Sequence, residues 1–472
     1  MKKSYLILAA AAIFAACSSD DGANAPEKQE AYTTGEVPVA FDAYVNRGTT
    51  RAGDAGELIT KNASAPQIDL ETKGFGVFAY YTDNQPYSET STPNFMYNTK
   101  VSTDSWTYSP VKYWPNEFGT GAISDGEDRL TFFAYAPYVA VTPETGLVTE
   151  AGTTGIMALT RNTATGDPYV KYYADFNPAK SVDLCWGVAA DIFSSTVTGP
   201  TANNIAKGKT FVDVIKPKTE SKIKFDFKHA LAALNVTIDA DVDVVSHADG
   251  ELNNQTKIWV RSVSFTGFTD KGMLNLNGDA TSDDYTPNWF DLSGNTKIGS
   301  GSVTIHDGRR DGKEGQTGAE VSNEKPLGLN EVLIQDEPYA TTSPLALTTA
   351  TTTGVQHTAV NLFNSATPTD PVFVIPTDEN LEITIVYDVE TYDQSLASYL
   401  SDGKTKGSTI ENKITKQIKI SDTAFKLQAG KKYTIALHLG MTSVKFEAEV
   451  TGWGNAAADK VDLPYNEITP AP

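Results

Sequence analysis

The chain has 472 residues and only two cysteines, Cys17 and Cys185. One of them falls in the leader described below, so no disulfide framework is available and the folded part must be held by packing. Positive charge is also scarce. Lys and Arg number 38 against 59 Asp and Glu, a net charge of −21. Such a chain repels phosphate backbones and anionic headgroups, so neither nucleic acid nor electrostatic membrane binding is expected. Beyond the N-terminus no segment approaches eighteen uninterrupted apolar residues, and no transmembrane helix is expected. Catalytic signatures are missing as well: there is no HExxH, no G-x-S-x-G elbow, no Walker A loop and no dinucleotide fingerprint. Carboxylates are too numerous for a glycosidase-type pair to stand out. The five histidines, His229, His247, His306, His357 and His438, are scattered without ligand spacing. His229 and His438 read as structural. Cys185 lies in the apolar run VDLCWGV, where a lone cysteine serves as a small core residue, and no neighbouring base marks it as a nucleophile. Two acidic turns, SDGEDR at 124–129 and HDGRRDGKEG at 306–315, lack the calcium-loop frame and read as solvated loops. No enzyme activity, cofactor or metal is expected from these patterns.

What is present starts with MKKSYLILAAAAIFAAC, followed at once by Ser18, Ser19, Asp20 and Asp21. Lys2 and Lys3, the short apolar run Leu6 to Phe14, and small Ala15 and Ala16 before a cysteine form a bacterial lipoprotein signal. Residues 1–16 are predicted to be removed and Cys17 to be acylated. Each buried CH₂ contributes about 0.8 kcal/mol, so several acyl chains anchor the protein without a membrane helix. Residues 17–36 are small, polar and charged, a flexible tether. The plain alternative is a soluble secreted protein in which Cys17 is accidental, since Phe14 stands where Leu, Val or Ile is usual.

From there the pattern alternates with period two. LEITIVYDV places Leu381, Ile383, Ile385, Tyr387 and Val389 on one face, and KYTIALHL places Tyr433, Ile435, Leu437 and Leu439. KIKFDF gives Ile223, Phe225 and Phe227. Half-buried strands read this way because successive side chains point to opposite faces. Gly, Pro, Asn, Asp and Thr clusters separate them, and no sustained helical stripe occurs. The predicted fold class is all-β, two antiparallel β-sandwich domains at 37–218 and 219–472. Segments 271–330 and 340–370, rich in Gly, Thr, Asp and Asn, read as long exposed loops.

The segment VPVAFDAYV stands apart. Val37, Val39, Phe41, Ala43 and Val45 form one strongly apolar face, and the loop NRGTTRAGDAG follows immediately. A small, polar loop of this kind is a preferred site of proteolysis, here after Arg47 or Arg51. Arg51 lies farther from the strand and is the more accessible in sequence terms. A domain that loses such a strand exposes an apolar groove with an unpaired sheet edge, a template for another chain's strand. The C-terminal run GNAAADKVDLPYNEITPAP offers a donor at 460–468, with Val461, Leu463 and Tyr465 at alternate positions and Pro464 on the opposite face. The competing reading is that both end segments complete their own domains.

Aromatic residues crowd two stretches, Trp106, Tyr108, Tyr113, Trp114 and Phe118, and then Tyr169, Tyr172, Tyr173 and Phe176. Exposed rings stack on sugars, whereas buried rings fill β-sandwich cores, and the core reading is favoured. A tethered carbohydrate-binding lipoprotein using Trp106 or Trp114 is the alternative function.

The lipoprotein start with its acidic SSDD, VAFDAYVNRGTTRA, GFGVFAYY, FMYN, YSPVKYWPNE with LTFFAYAPY, FKHALAALNVTI, VFVIPTDENLEITIVYDV and LQAGKKYTIALHLGMTSVKFEAEVTGW together resemble the fimbrillin family of Bacteroidales type V pili. The likeness runs over nearly the whole chain. It implies two transthyretin-like β-sandwich domains and export as an outer-membrane lipoprotein through Cys17. It also implies cleavage after Arg47 or Arg51 with release of the Val37–Val45 strand, and donation of the 460–468 segment to a neighbouring pilus subunit. The implied partners are other subunits and, through the lipid, the membrane. Stalk, minor and tip subunits share these motifs, and any ligand on a host or bacterial surface is left open.

Overall fold

A computed structural model describes residues 37–45, 57–58, 73–83, 85–102, 106–115, 128–149, 155–178, 180–194, 204–216, 222–240, 256–291, 302–307, 327–328, 349–351, 354–356, 360–363, 371–392, 395, 407–420, 423–439, 444–452 and 458–459. These residues form an all-β structure of stacked sheets.

In chain order the strands of the first part are β1 (Phe41–Val45), β2 (Glu57–Leu58), β3 (Phe75–Tyr81), β4 (Met96–Val101), β5 (Arg129–Ala136) and β6 (Ile156–Leu159). They continue with β7 (Tyr169–Tyr173), β8 (Cys185–Ala189), β9 (Phe193–Ser194), β10 (Asn204–Ile205), β11 (Phe211–Ile215) and β12 (Ile223–His229). Then come β13 (Ala232–Ala240), β14 (Thr256–Thr266), β15 (Phe268–Thr269), β16 (Lys271–Asn275) and β17 (Asn288–Phe290).

The largest sheet runs β2-β1-β12-β8-β5-β3-β4, with β11 also paired to β5. Its central strands are apolar at successive positions, FGVFAYY in β3, RLTFFAYA in β5 and CWGVA in β8, and they are buried on both faces. A strand covered on both sides has no polar face to present, so alternation gives way to a continuous apolar run. One face carries Phe75, Val77, Leu130, Phe132 and Phe225. The other carries Phe78, Tyr80, Phe133, Tyr135 and Trp186, packed against Val170, Tyr172, Leu274 and Trp289 of a second sheet ordered β17-β16-β7-β6.

The remaining chain forms another sandwich. One sheet contains β15, Val372–Pro376, β13, Lys431–Leu439, Val444–Gly452 and Ala458–Asp459, with Val360–Asn361 beside β13. The other contains Val303–Asp307, β14, Glu382–Tyr392 and Gly407–Gln417, with Leu327–Gly328 beside β14. Between them lie Leu234, Val236, Ile238, Val263, Phe265, Ile383, Ile385, Tyr387, Ile435 and Leu437. The inward faces read from LEITIVYDV and KYTIALHL are those the structure buries, Leu381 to Tyr387 and Tyr433 to Leu439 at alternate positions.

The change of sheet falls about a dozen residues beyond the expected boundary at 218/219. β12 pairs with β1 and β8, and the chain passes to the next sheet only at Ala230–Leu231, between β12 and β13. Segment 271–290 is not simply the exposed loop expected. β16 pairs with β7 along Lys271–Asn275, and Leu274 and Leu276 are fully buried. The Gly and Asn content of that stretch marks turns around a short strand, and the alternating MLNL pattern inside it carries the core contacts. The two halves of the chain therefore interlock: strands from beyond residue 270 complete a sheet begun by β6 and β7.

Tyr135 and Tyr172 are fully buried, and burial pushes both phenols well above their ordinary value. In the unfolded chain a tyrosine loses its proton near pH 10, while the folded form retains it. Above about pH 10 the unfolded state has released these protons while the folded state still holds them, so stability falls as pH rises; below that, both states are protonated and the contribution is constant. Urea unfolding followed across this range should show a flat midpoint up to about pH 9 and a declining one above about pH 10. A midpoint that stays level to about pH 12 would contradict the burial of these phenols.

Candidate functional site: the first strand and its slot

The N-terminal segment enters the fold in two steps. At 37–39 it lies antiparallel to 112–114: the Val39 N–H donates to the Lys112 carbonyl and the Trp114 N–H donates to the Val37 carbonyl, both at 2.9 Å. The Tyr108 hydroxyl donates to the Val39 carbonyl at 2.6 Å and accepts the Lys112 N–H at 3.2 Å. Burial raises the Tyr108 phenol above its ordinary value, which keeps this donor protonated. The Ile223 N–H then donates to the Ala40 carbonyl at 2.8 Å, and β1 runs parallel to β12 in the register Phe41–Ile223 to Val45–Phe227.

Among the described residues this is the only parallel pairing in the largest sheet; its other strand pairs are antiparallel. Parallel neighbours cannot share a tight hairpin, and here β1 and β12 are far apart in sequence. The other edge of β1 is met by β2 only at Tyr44–Leu58 and Val45–Glu57. Among the described residues no strand pairs with that edge at Phe41–Ala43.

The apolar face is deeply inserted. Val37, Val39, Phe41 and Ala43 are buried, while Val45 is half-buried. Phe41 stacks on Phe225 at 6.1 Å and meets Phe132, Phe75 and Tyr108 edge-on, with ring centroids 5.4–6.4 Å away. Burial of Val37, Val39 and Phe41 at roughly 1.5–3 kcal/mol each contributes about 5–9 kcal/mol, on the scale of the net stability of a whole domain, about 5–15 kcal/mol. An ion pair on the strand, Lys222 Nζ to Asp42 Oδ1 at 2.9 Å, is half exposed on the lysine side and adds little.

Trp106, Tyr108 and Trp114 of the first aromatic stretch cover this slot, whereas Tyr172 of the second packs on the opposite face of the sheet. Trp114 is buried against Phe132 and Phe193. Trp106 packs on Phe75 at 5.6 Å, and Tyr172 is fully buried. Tyr113 and Tyr173 are exposed. A surface cleft of about 460 Å³ lies elsewhere, between Asp284–Trp289, Pro376–Asp378 and the stretch containing Lys426, Leu427 and Lys431. Neither Trp106 nor Trp114 lines it.

Cys17, Arg47, Arg51, Val461, Leu463 and Tyr465 lie outside the described residues. The expected lipidation site, cleavage positions and donor strand are therefore sequence readings only.

A second cluster escaped the sequence reading. Antiparallel pairing of β8 with β12 sets Cys185 opposite His229, and Asp183 precedes β8 by two residues. The Cys185 Sγ is 3.5 Å from His229 Nδ1 and 3.6 Å from Asp183 Oδ2, and Nδ1 and Oδ2 are themselves hydrogen-bonded. All three side chains are buried. A base does stand beside Cys185, contrary to expectation; it sits 44 residues away in sequence, and only the strand register brings it close. Burial raises the Cys185 thiol well above its ordinary value and raises the Asp183 carboxyl, with His229 and the Leu184 N–H opposing the latter. A sealed, protonated thiol is not an available nucleophile. His438 fits its structural reading, with Nδ1 2.6 Å from Asp239 Oδ1 on the neighbouring strand.

No family model matches the chain, and no curated protein does. Solved structures similar to it include a fimbrial protein from Bacteroides vulgatus, at 19% identity and TM-score 0.45, covering 89% of this chain and 100% of that one. A fimbrial assembly protein from Parabacteroides distasonis matches at 8% identity and TM-score 0.29, covering 90% and 99% respectively. Both source organisms belong to the Bacteroidales. At these TM-scores the likenesses describe those proteins and carry no weight for the mechanism of this one.

Truncation of Phe41 tests the geometry. Phe41→Ala should destabilise the N-terminal sandwich by about 3–5 kcal/mol, and Asp42→Asn by less than about 1 kcal/mol. Denaturant unfolding of the two variants beside the parent protein measures both. Equal, small effects would mean that the strand is not anchored by its aromatic contacts.

Proposed function

We propose that the chain is the precursor of a non-enzymatic structural subunit of a type V pilus, a surface fibre supporting adhesion. In this reading it is exported as an outer-membrane lipoprotein through Cys17. Cleavage after Arg51 or Arg47 frees the segment containing Val37, Val39, Phe41, Ala43 and Val45. The donor segment of another subunit, with Val461, Leu463 and Tyr465 on its apolar face, then enters the slot. Partners are other copies or related subunits, and the assembled form is a fimbrium.

One observation carries the reading: β1 is held mainly by a parallel partner and by rings, and among the described residues the next strand, β2, meets its other edge only at Tyr44 and Val45. Once the chain is cut beyond Val45, only non-covalent contacts retain the segment. Its departure uncovers the β12 edge and the faces of Phe75, Phe132 and Phe225. An apolar groove beside an open strand edge is a receptor for an extended peptide with alternating apolar side chains. The sequence resemblance to fimbrillins points to the same class of assembly.

Treatment of the purified precursor with an arginine-specific protease should yield one new N-terminus, after Arg51 or Arg47, followed by ladders of oligomers. The double variant Arg47→Ala, Arg51→Ala should remain uncut and monomeric. N-terminal sequencing and size-exclusion chromatography read both outcomes. A processed chain that keeps its first strand and stays monomeric at high concentration would overturn the assembly step.

A further inference from the structure

The buried trio of Asp183, Cys185 and His229 is independent of strand exchange and supplies one sulfur, one nitrogen and one oxygen donor, all within 4.8 Å of one another. Zinc bonds of about 2.3 Å to sulfur and about 2.0 Å to nitrogen or oxygen, at tetrahedral angles, imply ligand separations of about 3.5 Å from sulfur and about 3.3 Å between nitrogen and oxygen. The two separations from Sγ are 3.5 Å to Nδ1 and 3.6 Å to Oδ2. Both already match the edges of such a tetrahedron. Only the Nδ1–Oδ2 pair is closer, the two atoms being hydrogen-bonded to each other, and a cation would take the place of the proton between them.

The donors are also fixed by regular structure. His229 and Cys185 are cross-strand partners, the Ala230 N–H donates to the Leu184 carbonyl at 2.8 Å, and the Leu184 N–H donates to Asp183 Oδ1 at 2.8 Å, which leaves Oδ2 to face the sulfur and the ring. The Tyr285 hydroxyl donates to the His229 carbonyl at 3.1 Å and the Trp289 indole N–H to the Ala230 carbonyl at 2.9 Å. Ligands placed by strands and braced by neighbouring hydrogen bonds are the arrangement that metal sites require.

We propose that Asp183, Cys185 and His229 form a structural site for one divalent transition-metal ion, with zinc the best fit to the mixed sulfur, nitrogen and oxygen set. Binding releases the thiol proton of Cys185 and the proton shared by His229 and Asp183. The thiolate and carboxylate then balance the two positive charges of the ion, and the imidazole binds neutral through Nδ1. Three protein ligands leave one vertex of the tetrahedron for a water. Because the trio is sealed, the ion enters as the chain folds and exchanges slowly afterwards. It would tie β8 to β12, the strand that forms the floor of the β1 slot.

The test uses the full chain carrying Cys17→Ser, which leaves Cys185 as the single thiol. The protein is unfolded with a chelator and refolded with zinc or cobalt(II). The expected results are about one ion per chain by metal analysis, a thiolate-to-cobalt charge-transfer band, and a higher unfolding midpoint than metal-free refolded protein. Cys185→Ser and His229→Gln, checked for folding by circular dichroism, should lose the band and bind less than about a tenth of an ion per chain. If those variants fail to fold, the band in the parent chain decides. Folded parent protein without that band, or full metal content in folded Cys185→Ser, would overturn the site.

Discussion

The parallel union of β1 with β12 is the constraint around which the N-terminal half is arranged. β12 accepts β1 on one edge and β8 on the other, so it is simultaneously the floor of the first strand's slot and the link to the strand that carries Cys185. Phe41 fills the middle of that slot, with Phe225 stacked beneath it and Phe75, Phe132 and Tyr108 around its rim. The contacts of the strand are almost wholly apolar and backbone. Such contacts are strong when the strand is present and indifferent to which chain supplies it. A strand bound by a specific buried charge would admit fewer substitutes.

Cover is the second requirement of an exchangeable strand. The stretch 106–115 folds over the apolar face, lending Trp106, Tyr108 and Trp114 to the core and backbone groups to Val37 and Val39. The opposite face of the same sheet is closed independently by β6, β7, β16 and β17. The slot and the inter-sheet core therefore occupy different faces, so emptying one leaves the packing of the other in place.

Several buried polar side chains in this half are paired with one another. Asp183 meets His229, Lys228 meets Asp226 at 2.9 Å, and the Tyr135 hydroxyl reaches Asn98 Oδ1 at 2.8 Å. Each is a group that costs free energy when desolvated alone and little when partnered. Tyr135 and Asn98 come from different strands, β5 and β4, and Asp183 reaches across to His229 of β12, so these two pairs also help to fix register, whereas Lys228 and Asp226 are neighbours on β12 itself.

Alternation made the inward faces of Leu381–Tyr387 and Tyr433–Leu439 readable, because the strand period is two wherever one side of a sheet is wet. The apolar face of Val37, Val39, Phe41 and Ala43 was readable for the same reason, and composition alone excluded a disulfide-held fold. What sequence could not supply was which strands become neighbours. The parallel pairing of β1 with β12, the transfer of β16 and β17 to the sheet of β6 and β7, the change of sheet at Ala230–Leu231, and the meeting of Cys185 with His229 are all contacts between distant segments. They are selected by the mutual fit of whole faces, a property of the packed layers that no local window of residues contains.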